Sequence, residues 1–153
     1  QSMAFIHQNL YASSGLNMVD MPNYIQNLVD HLRTAYQKDG EEVKIYVDVD
    51  PIQLHMDTVV SIGMIINELV TNALKYAFYN VGGGNIQVSL KESHEKIHLG
   101  ISDDGIGIPD GIDIASNSSF GYKMVRAFVQ KLKGKMDLNR LQGTQVQIQF
   151  TRR

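Results

Sequence analysis

The segment Asp57–Phe78 constrains the fold more than any other stretch of the chain. Plotted at 100° per residue, Val59, Ile62, Ile66, Leu69, Val70, Ala73 and Ala77 fall on one face. A long helix with so broad an apolar stripe must lie against a second apolar layer. The flanking segments supply one. Val43–Val49 alternates apolar and polar residues as a half-buried strand does. Asn85–Lys91 and Lys96–Ser102 read as two more strands, with Gly82-Gly83-Gly84 as a flexible turn before them and a charged hairpin between them. Lys135–Asn139 and Thr144–Thr151 close the chain as strands that meet at Leu141–Gly143.

Three further helices are predicted. Met3, Phe5, Ile6 and Leu10 stand near helical spacing in Ser2–Tyr11, and Ser13-Ser14-Gly15 ends that run. Asp20 caps the next helix, with Pro22 in its first turn. Tyr24, Ile25, Leu28, Val29, Leu32 and Tyr36 form its apolar stripe, and Lys38-Asp39-Gly40 terminates it. Asp57 is the expected cap of the long helix, and the last helix runs from about Phe120 to Leu132. The order helix, helix, strand, helix, strand, strand, helix, strand, strand predicts a two-layer α/β sandwich with helices on one face of the sheet.

Composition narrows the chemistry. A length of 153 residues suits about one domain, and 43% apolar residues can build its core. The net charge of −2 gives no bulk electrostatic case for nucleic acid or an anionic membrane. Any phosphate bound here must be held by a local arrangement. The absence of cysteine excludes a disulfide framework, thiolate chemistry and the usual structural zinc. No apolar run approaches the length of a membrane helix, and there is no charged-then-apolar leader. The chain opens inside what reads as a helix, which suggests a piece of a longer protein.

Opposite the apolar stripe of the long helix, Glu68, Asn72 and Lys75 recur at i, i+4 and i+7. An amide oxygen for Mg²⁺, an ammonium for phosphate and a carboxylate for a proton or water suit a metal–polyphosphate. The same pattern also describes an ordinary solvated helix face. Asp103-Asp104-Gly105-Ile106-Gly107-Ile108-Pro109 follows a strand directly. Its glycines allow a sharp turn and close approach to a flat ligand, and a carboxylate there can accept from an exocyclic amine such as adenine N6. A plain surface turn fits those residues equally. No G-K-[ST] follows, no helix opens at a third glycine, and the spacing of a calcium loop is missing. Ser119–Met124 places Gly121 where a loop enters a helix, whose exposed amides favour phosphate. Gly143-Thr144 opens the last strand. The five histidines form no metal cluster, and His7 reads as a packing residue.

Taken in order, these four segments resemble the ATP-binding domain shared by gyrase, the heat-shock chaperone, histidine kinases and the mismatch-repair ATPase. Asn67–Tyr76 is similar to its N box, Asp103–Gly107 to its D-x-G-x-G box, Gly121 to its second glycine box and Gly143-Thr144 to its third. The Ala73-Leu74-Lys75-Tyr76 tail resembles that of sensor histidine kinases. Ser2–Tyr11 with Tyr24–Leu32 resembles the end of the dimerisation region in the HisKA_2 subgroup.

The resemblance implies the Bergerat fold, a mixed sheet with helices on one face, and ATP and Mg²⁺ as ligands. It implies residues 1–38 as the end of a helical dimerisation and phosphoacceptor region that lacks the acceptor histidine, and residues 39–153 as the catalytic domain. It assigns Mg²⁺ to Asn72, the adenine amine to Asp103 and a catalytic carboxylate to Glu68. Lys75 and Tyr76 would lie near the phosphates. Gly105, Gly107 and Ile108 would shape the adenine pocket, with Thr144 and Gly143 supporting it. Gly121, Tyr122, Lys123 and Met124 would border the phosphates. Implied partners are the phosphoacceptor helix of the same or a partner subunit, a response regulator and a second copy of the intact protein, with no nucleic acid. A cytoplasmic position follows for this domain, with a parent chain that can be membrane-anchored. A superfamily ATPase, an anti-sigma-type serine kinase and a nucleotide-binding module without kinase activity remain as alternatives. Two departures stand out: Asp104 replaces a frequent Asn, and the 110–118 segment allows only a small lid.

Overall fold

The computed structural model describes residues 18–36, 42–78, 83–105, 120–140 and 143–152. The helix expected at Ser2–Tyr11 lies outside them, as do Gly107 and Ile108. The described chain begins with a strand that the sequence pattern did not reveal. β1 (Met18–Asp20) pairs antiparallel with β3 (Gln53–His55), in the register Met18↔His55, Val19↔Leu54 and Asp20↔Gln53. Three-residue strands are too short to carry a periodic signal.

Helix α1 (Met21–Tyr36) follows β1 directly. Asp20 stands just before it, and its carboxylate accepts a hydrogen bond from the Asn23 side chain at 2.9 Å. The expected stripe of Tyr24, Ile25, Leu28, Val29 and Leu32 is buried, while Tyr36 is half-buried.

The main sheet has five strands in the order β2 (Glu42–Val49), β4 (Gly83–Ser93), β5 (Lys96–Asp103), β7 (Thr144–Thr151) and β6 (Lys135–Asn139). β2 and β4 run parallel, and every other neighbouring pair is antiparallel. A parallel pair needs a long crossover, which β3 and helix α2 (Met56–Asn72) provide. Gly83 and Gly84 are therefore the first residues of β4, opposite Glu42 and Val43, rather than a flexible turn. A Cβ at Gly83 would overlap the Glu42 carbonyl, and its φ of +134° is a conformation that glycine alone adopts readily.

Two details of α2 differ from expectation. Its cap is His55, held extended at φ −63° and ψ 148° by pairing in β3, so the helix starts before Asp57. Asp57 sits in the first turn, where its negative charge still suits the amide end of the helix. The α conformation stops at Asn72, and Ala73–Ala77 continues as one π turn ending at Phe78. Such turns are rare and concentrate at functional sites.

All seven predicted stripe residues of α2 are buried. So are Ser61, Met64, Ile65 and Thr71, because α1 packs on one flank of α2 and helix α3 (Phe120–Lys131) on the other. The inward residues Ile86, Val88, Leu90, Ile97, Leu99, Ile101, Val146, Ile148 and Phe150 complete a single core with the helices. The opposite sheet face is polar: Tyr46, Gln87, Ser102 and Gln145 stand in one cross-strand row. At the far end, one Arg152 nitrogen donates to both Glu92 oxygens at 2.8 and 2.9 Å, and the other donates to the Gln53 carbonyl at 2.8 Å. This ties β3, and β1 paired with it, to the ends of the interior strands β4 and β7.

Gly63 is the closest point between α1 and α2. A Cβ there would overlap the Tyr24 hydroxyl, which is itself buried without a hydrogen-bond partner. Burial pushes that phenol well above its ordinary range. Gly63→Ala is expected to lower stability by about 1–3 kcal/mol through overpacking, despite alanine's better helix propensity. In a Tyr24→Phe background the same change should recover much of that loss. Denaturant midpoints of the two single variants and the double variant measure this coupling.

Candidate functional site

The site is assembled where β5, α2, α3 and the start of β7 meet. Asp103 is the last residue of β5 and shares its inward side with Ile97, Leu99 and Ile101. Its carboxylate accepts a hydrogen bond from the Gly105 amide at 3.0 Å and another from the Thr144 amide. Burial outweighs these bonds and raises the carboxyl above its ordinary value, with the nearby Asp104 charge adding to the rise. A partly buried carboxylate held by two amides is a fixed acceptor with remaining lone pairs for a ligand amine.

The glycines around it have identifiable steric duties. A Cβ at Gly105 would overlap the Ala77 carbonyl, so the loop after β5 lies directly on the π turn of the N-box segment. Gly143 has a φ of +73°, and a Cβ there would overlap the Asp103 carbonyl. The turn before β7 thus presses on Asp103 and brings the Thr144 amide to it. Asp104, next along, points elsewhere. It receives the Asn85 backbone amide at 2.7 Å and the Asn85 side-chain amide at 2.8 Å, and these bonds hold its carboxyl below the ordinary range.

Glu68 leaves α2 towards α3. A Cβ on Gly121 would stand 2.5 Å from Glu68 Oε2 and 2.8 Å from its Cδ, so the carboxylate packs on bare backbone in the first turn of α3. Tyr122 joins the two acids. Its phenol is raised above its usual range by burial first, then by the charges of Asp103 and Glu68, with Arg140 acting in the opposite sense. Glu68, Asp103, Tyr122, Gly121, Gly105, Gly143 and Thr144 are therefore brought together.

The other predicted residues are placed less centrally. Asn72 ends α2 one turn beyond Glu68, half-buried. Lys75 is exposed, with its ammonium 5.2 Å from the centre of the Tyr36 ring at the end of α1. Tyr76 is 65% exposed on the same turn. Lys123 is exposed and Met124 half-buried. Gly107 and Ile108 lie outside the described residues. Sequence reasoning missed Arg140, whose only local cue is a cation just before the Leu141–Gly143 turn, and it missed Asn85 and Ala77, whose roles are purely tertiary.

A depression of about 400 Å³ opens beside Tyr46, Asn85, Gln87, Ser102, Asp103, Asp104 and Gln145, so it adjoins the site at Asp103. It lies largely on the polar sheet face, away from Glu68 and Gly121. Among the described residues no three His, Cys, Asp or Glu side chains group as a metal site. The Glu68 and Asn72 oxygens suit a Mg²⁺ that takes most of its ligands from phosphates and water.

The chain belongs to the family of histidine kinase-, DNA gyrase B- and HSP90-like ATPases, which it matches over residues 57–153. Residues 1–36 match the HisKA_2 histidine kinase family. The chain is 32% identical over 99 residues to blue-light-activated histidine kinase 2 of Erythrobacter litoralis, covering 64% of this chain and 29% of that protein. It is 27% identical over 149 residues to the sensor histidine kinase PdtaS of Mycobacterium tuberculosis, covering 95% of this chain and 29% of that one. The chain thus spans less than a third of the length of these relatives. Its fold superposes on the histidine kinase domain of the Erythrobacter litoralis EL346 blue-light activated kinase with a TM-score of 0.86 at 24% identity, covering 97% of this chain and 75% of that one. The mixed sheet with helices on one face is accordingly the histidine kinase ATPase fold, and the chain carries an ATP-binding domain. No helix among the described residues is long and apolar enough to cross a membrane.

The two neighbouring acids should leave opposite marks on acid stability. The folded protein holds the Asp103 proton more tightly than the unfolded chain, so stability falls as pH rises from 3.8 to the raised value. Asp104 contributes stability that is present above 3.8 and lost as pH falls through its lowered value. Melting temperature measured against pH should lose the decline just above 3.8 in Asp103→Asn, while the loss below 3.8 persists.

Proposed function

We propose that this chain is the Mg²⁺–ATP-binding catalytic part of a two-component sensor histidine kinase, donating the γ-phosphoryl group to a histidine outside it. The observation that carries the reading is the convergence of Asp103, Gly105 and Thr144 at one end of a site that has Glu68 and Gly121 at the other. The kinase relatives and the HisKA_2 match at residues 1–36 support the choice of a histidine acceptor. Residues 1–38 then form the end of the dimerisation region, and residues 39–153 form the catalytic domain.

Asp103 accepts from the adenine amine and orients the base; its two amide donors keep the carboxylate from turning away. Gly105, Gly107 and Ile108 shape the base pocket, with Gly143 and Thr144 behind Asp103. Asn72 holds the metal through its amide oxygen. Mg²⁺, when bound, neutralises phosphate charge and favours in-line transfer. Gly121 and Tyr122 border the phosphates through the first amides of α3, with Lys123 and Met124 on the next positions. Lys75 and Tyr76 line the outer side, where the acceptor helix of the same or a partner subunit approaches. The phosphoryl group then passes to a response-regulator aspartate, and the intact protein works as a homodimer.

A second reading has specific support: the anti-sigma F factor of Bacillus licheniformis is 38% identical over 55 residues, covering 36% of this chain and 38% of that protein. In that reading Glu68 activates a hydroxyl or water.

Calorimetric titration with ATP, with and without Mg²⁺, decides the site. Asp103→Ala is expected to weaken binding by roughly ten- to a hundredfold, the worth of a charged hydrogen bond. Asn72→Ala should remove most of the gain from Mg²⁺. Unchanged affinity in both variants would overturn the assignment. With binding established, phosphotransfer to a protein that supplies the upstream acceptor helix supports the kinase. Steady ATP hydrolysis lost in Glu68→Gln, with no transfer to histidine, supports the second reading.

A further inference from the structure

We propose that Glu68 is a charge gate at the phosphate end of the site, admitting a polyphosphate only together with a divalent cation. The inference rests on the nucleotide reading above and assigns Glu68 a regulatory part within it.

A carboxylate already stands beside the start of α3. The first amides of a helix have no partners within the helix and attract negative charge. In the first turn of α3 the Glu68 carboxylate packs against Gly121, its Oε2 2.5 Å from where a Cβ would stand. The residue is half-buried, and its charge reaches the neighbouring Tyr122 phenol together with that of Asp103. The end of the site that is to receive phosphates therefore presents a carboxylate of its own, that of Glu68, beside the first turn of α3. Arg140 is a cation whose charge acts on the same phenol in the opposite sense.

A metal-free polyphosphate entering this space meets Glu68 at close range, where partial burial weakens screening by water and salt. Adenine and ribose meet no such penalty, because Asp103 faces a donor amine. Asn72 lies four residues after Glu68 on α2, hence on the same side of the helix. Asn72 would hold a divalent cation on that side of the helix, and its charge would offset the repulsion between Glu68 and the phosphates. The same carboxylate that opposes bare ATP thus helps to retain the metal complex. Glutamine at this position keeps the shape and the contact with Gly121 but removes the charge.

The test is calorimetric binding of ATP and AMP to the whole chain, each in Mg²⁺ and in EDTA. The wild type is expected to bind ATP far more tightly with Mg²⁺, and AMP almost equally in both. Glu68→Gln should bind metal-free ATP roughly tenfold more tightly than the wild type, the effect of one unit charge at close range. Its Mg²⁺ dependence should shrink, and its AMP affinity should not change. Glu68→Ala repeats the test without the side-chain volume, and melting temperatures verify that both variants are folded. Metal-free ATP affinity that is unchanged or weaker in both folded variants overturns the gate. A wild type indifferent to Mg²⁺ overturns it as well. Loss of the nucleotide reading registers separately, as ATP affinity unaffected by Asp103→Ala.

Discussion

The structure depends on the burial of α2. A helix packed on the sheet below, α1 on one flank and α3 on the other has almost no solvated surface in its middle turns. Burial of that kind contributes on the order of 1.5–3 kcal/mol for each large aliphatic side chain. It also holds the helix so firmly that the residues at its C-terminal end become fixed reference points. Glu68 and Asn72 are delivered by the same rigid rod that carries Ile62, Ile65 and Ile66 into the core.

Around that rod the loops are positioned by exclusion. Gly105 lies on the Ala77 carbonyl and Gly143 on the Asp103 carbonyl, at separations that a Cβ would not allow, and Gly121 lies against the Glu68 carboxylate. These contacts explain why glycine recurs at the site more directly than a need for flexibility does. The π turn at Ala73–Ala77 belongs to the same arrangement. It ends the buried helix, gives Gly105 its seat and turns Lys75 and Tyr76 outward, with Lys75 above the Tyr36 ring. The helical layer, the loop after Asp103 and the outward cation are therefore mechanically adjacent. The far end of the sheet is locked independently by Arg152, Glu92 and Asp50, with the Glu92 amide donating to Asp50 at 2.8 Å.

Electrostatics divides two adjacent acids into different roles. Asp103 and Asp104 are consecutive residues of one type, yet burial raises one and hydrogen bonds from Asn85 lower the other. One is half-buried at the strand end, where it accepts from Gly105 and Thr144, and the other is exposed and braces Asn85. Nothing in the dipeptide distinguishes them, because the difference arises from which way the strand end faces.

Much of this protein was legible in its sequence. The predicted apolar stripes of α1 and α2 are buried apart from the half-buried Tyr36, because helical period and core burial express the same geometry, whereas Ser61, Met64, Ile65 and Thr71 are buried by the flanking helices. The strands β6 and β7 have the predicted ends, and the four glycine- and asparagine-bearing segments identified the family through their order. Local pattern did not reach further. The pair β1–β3 is too short to have a period, the cap of α2 moved to His55 because strand pairing held that residue extended, and Gly83 and Gly84 joined β4 because β2 lies beside them. Only the tertiary structure set Glu68 against Gly121, gave Asp103 the Thr144 amide and drew Arg140 towards Tyr122. Those relations join residues far apart in the chain, and their distances are decided by packing, which no local spacing encodes.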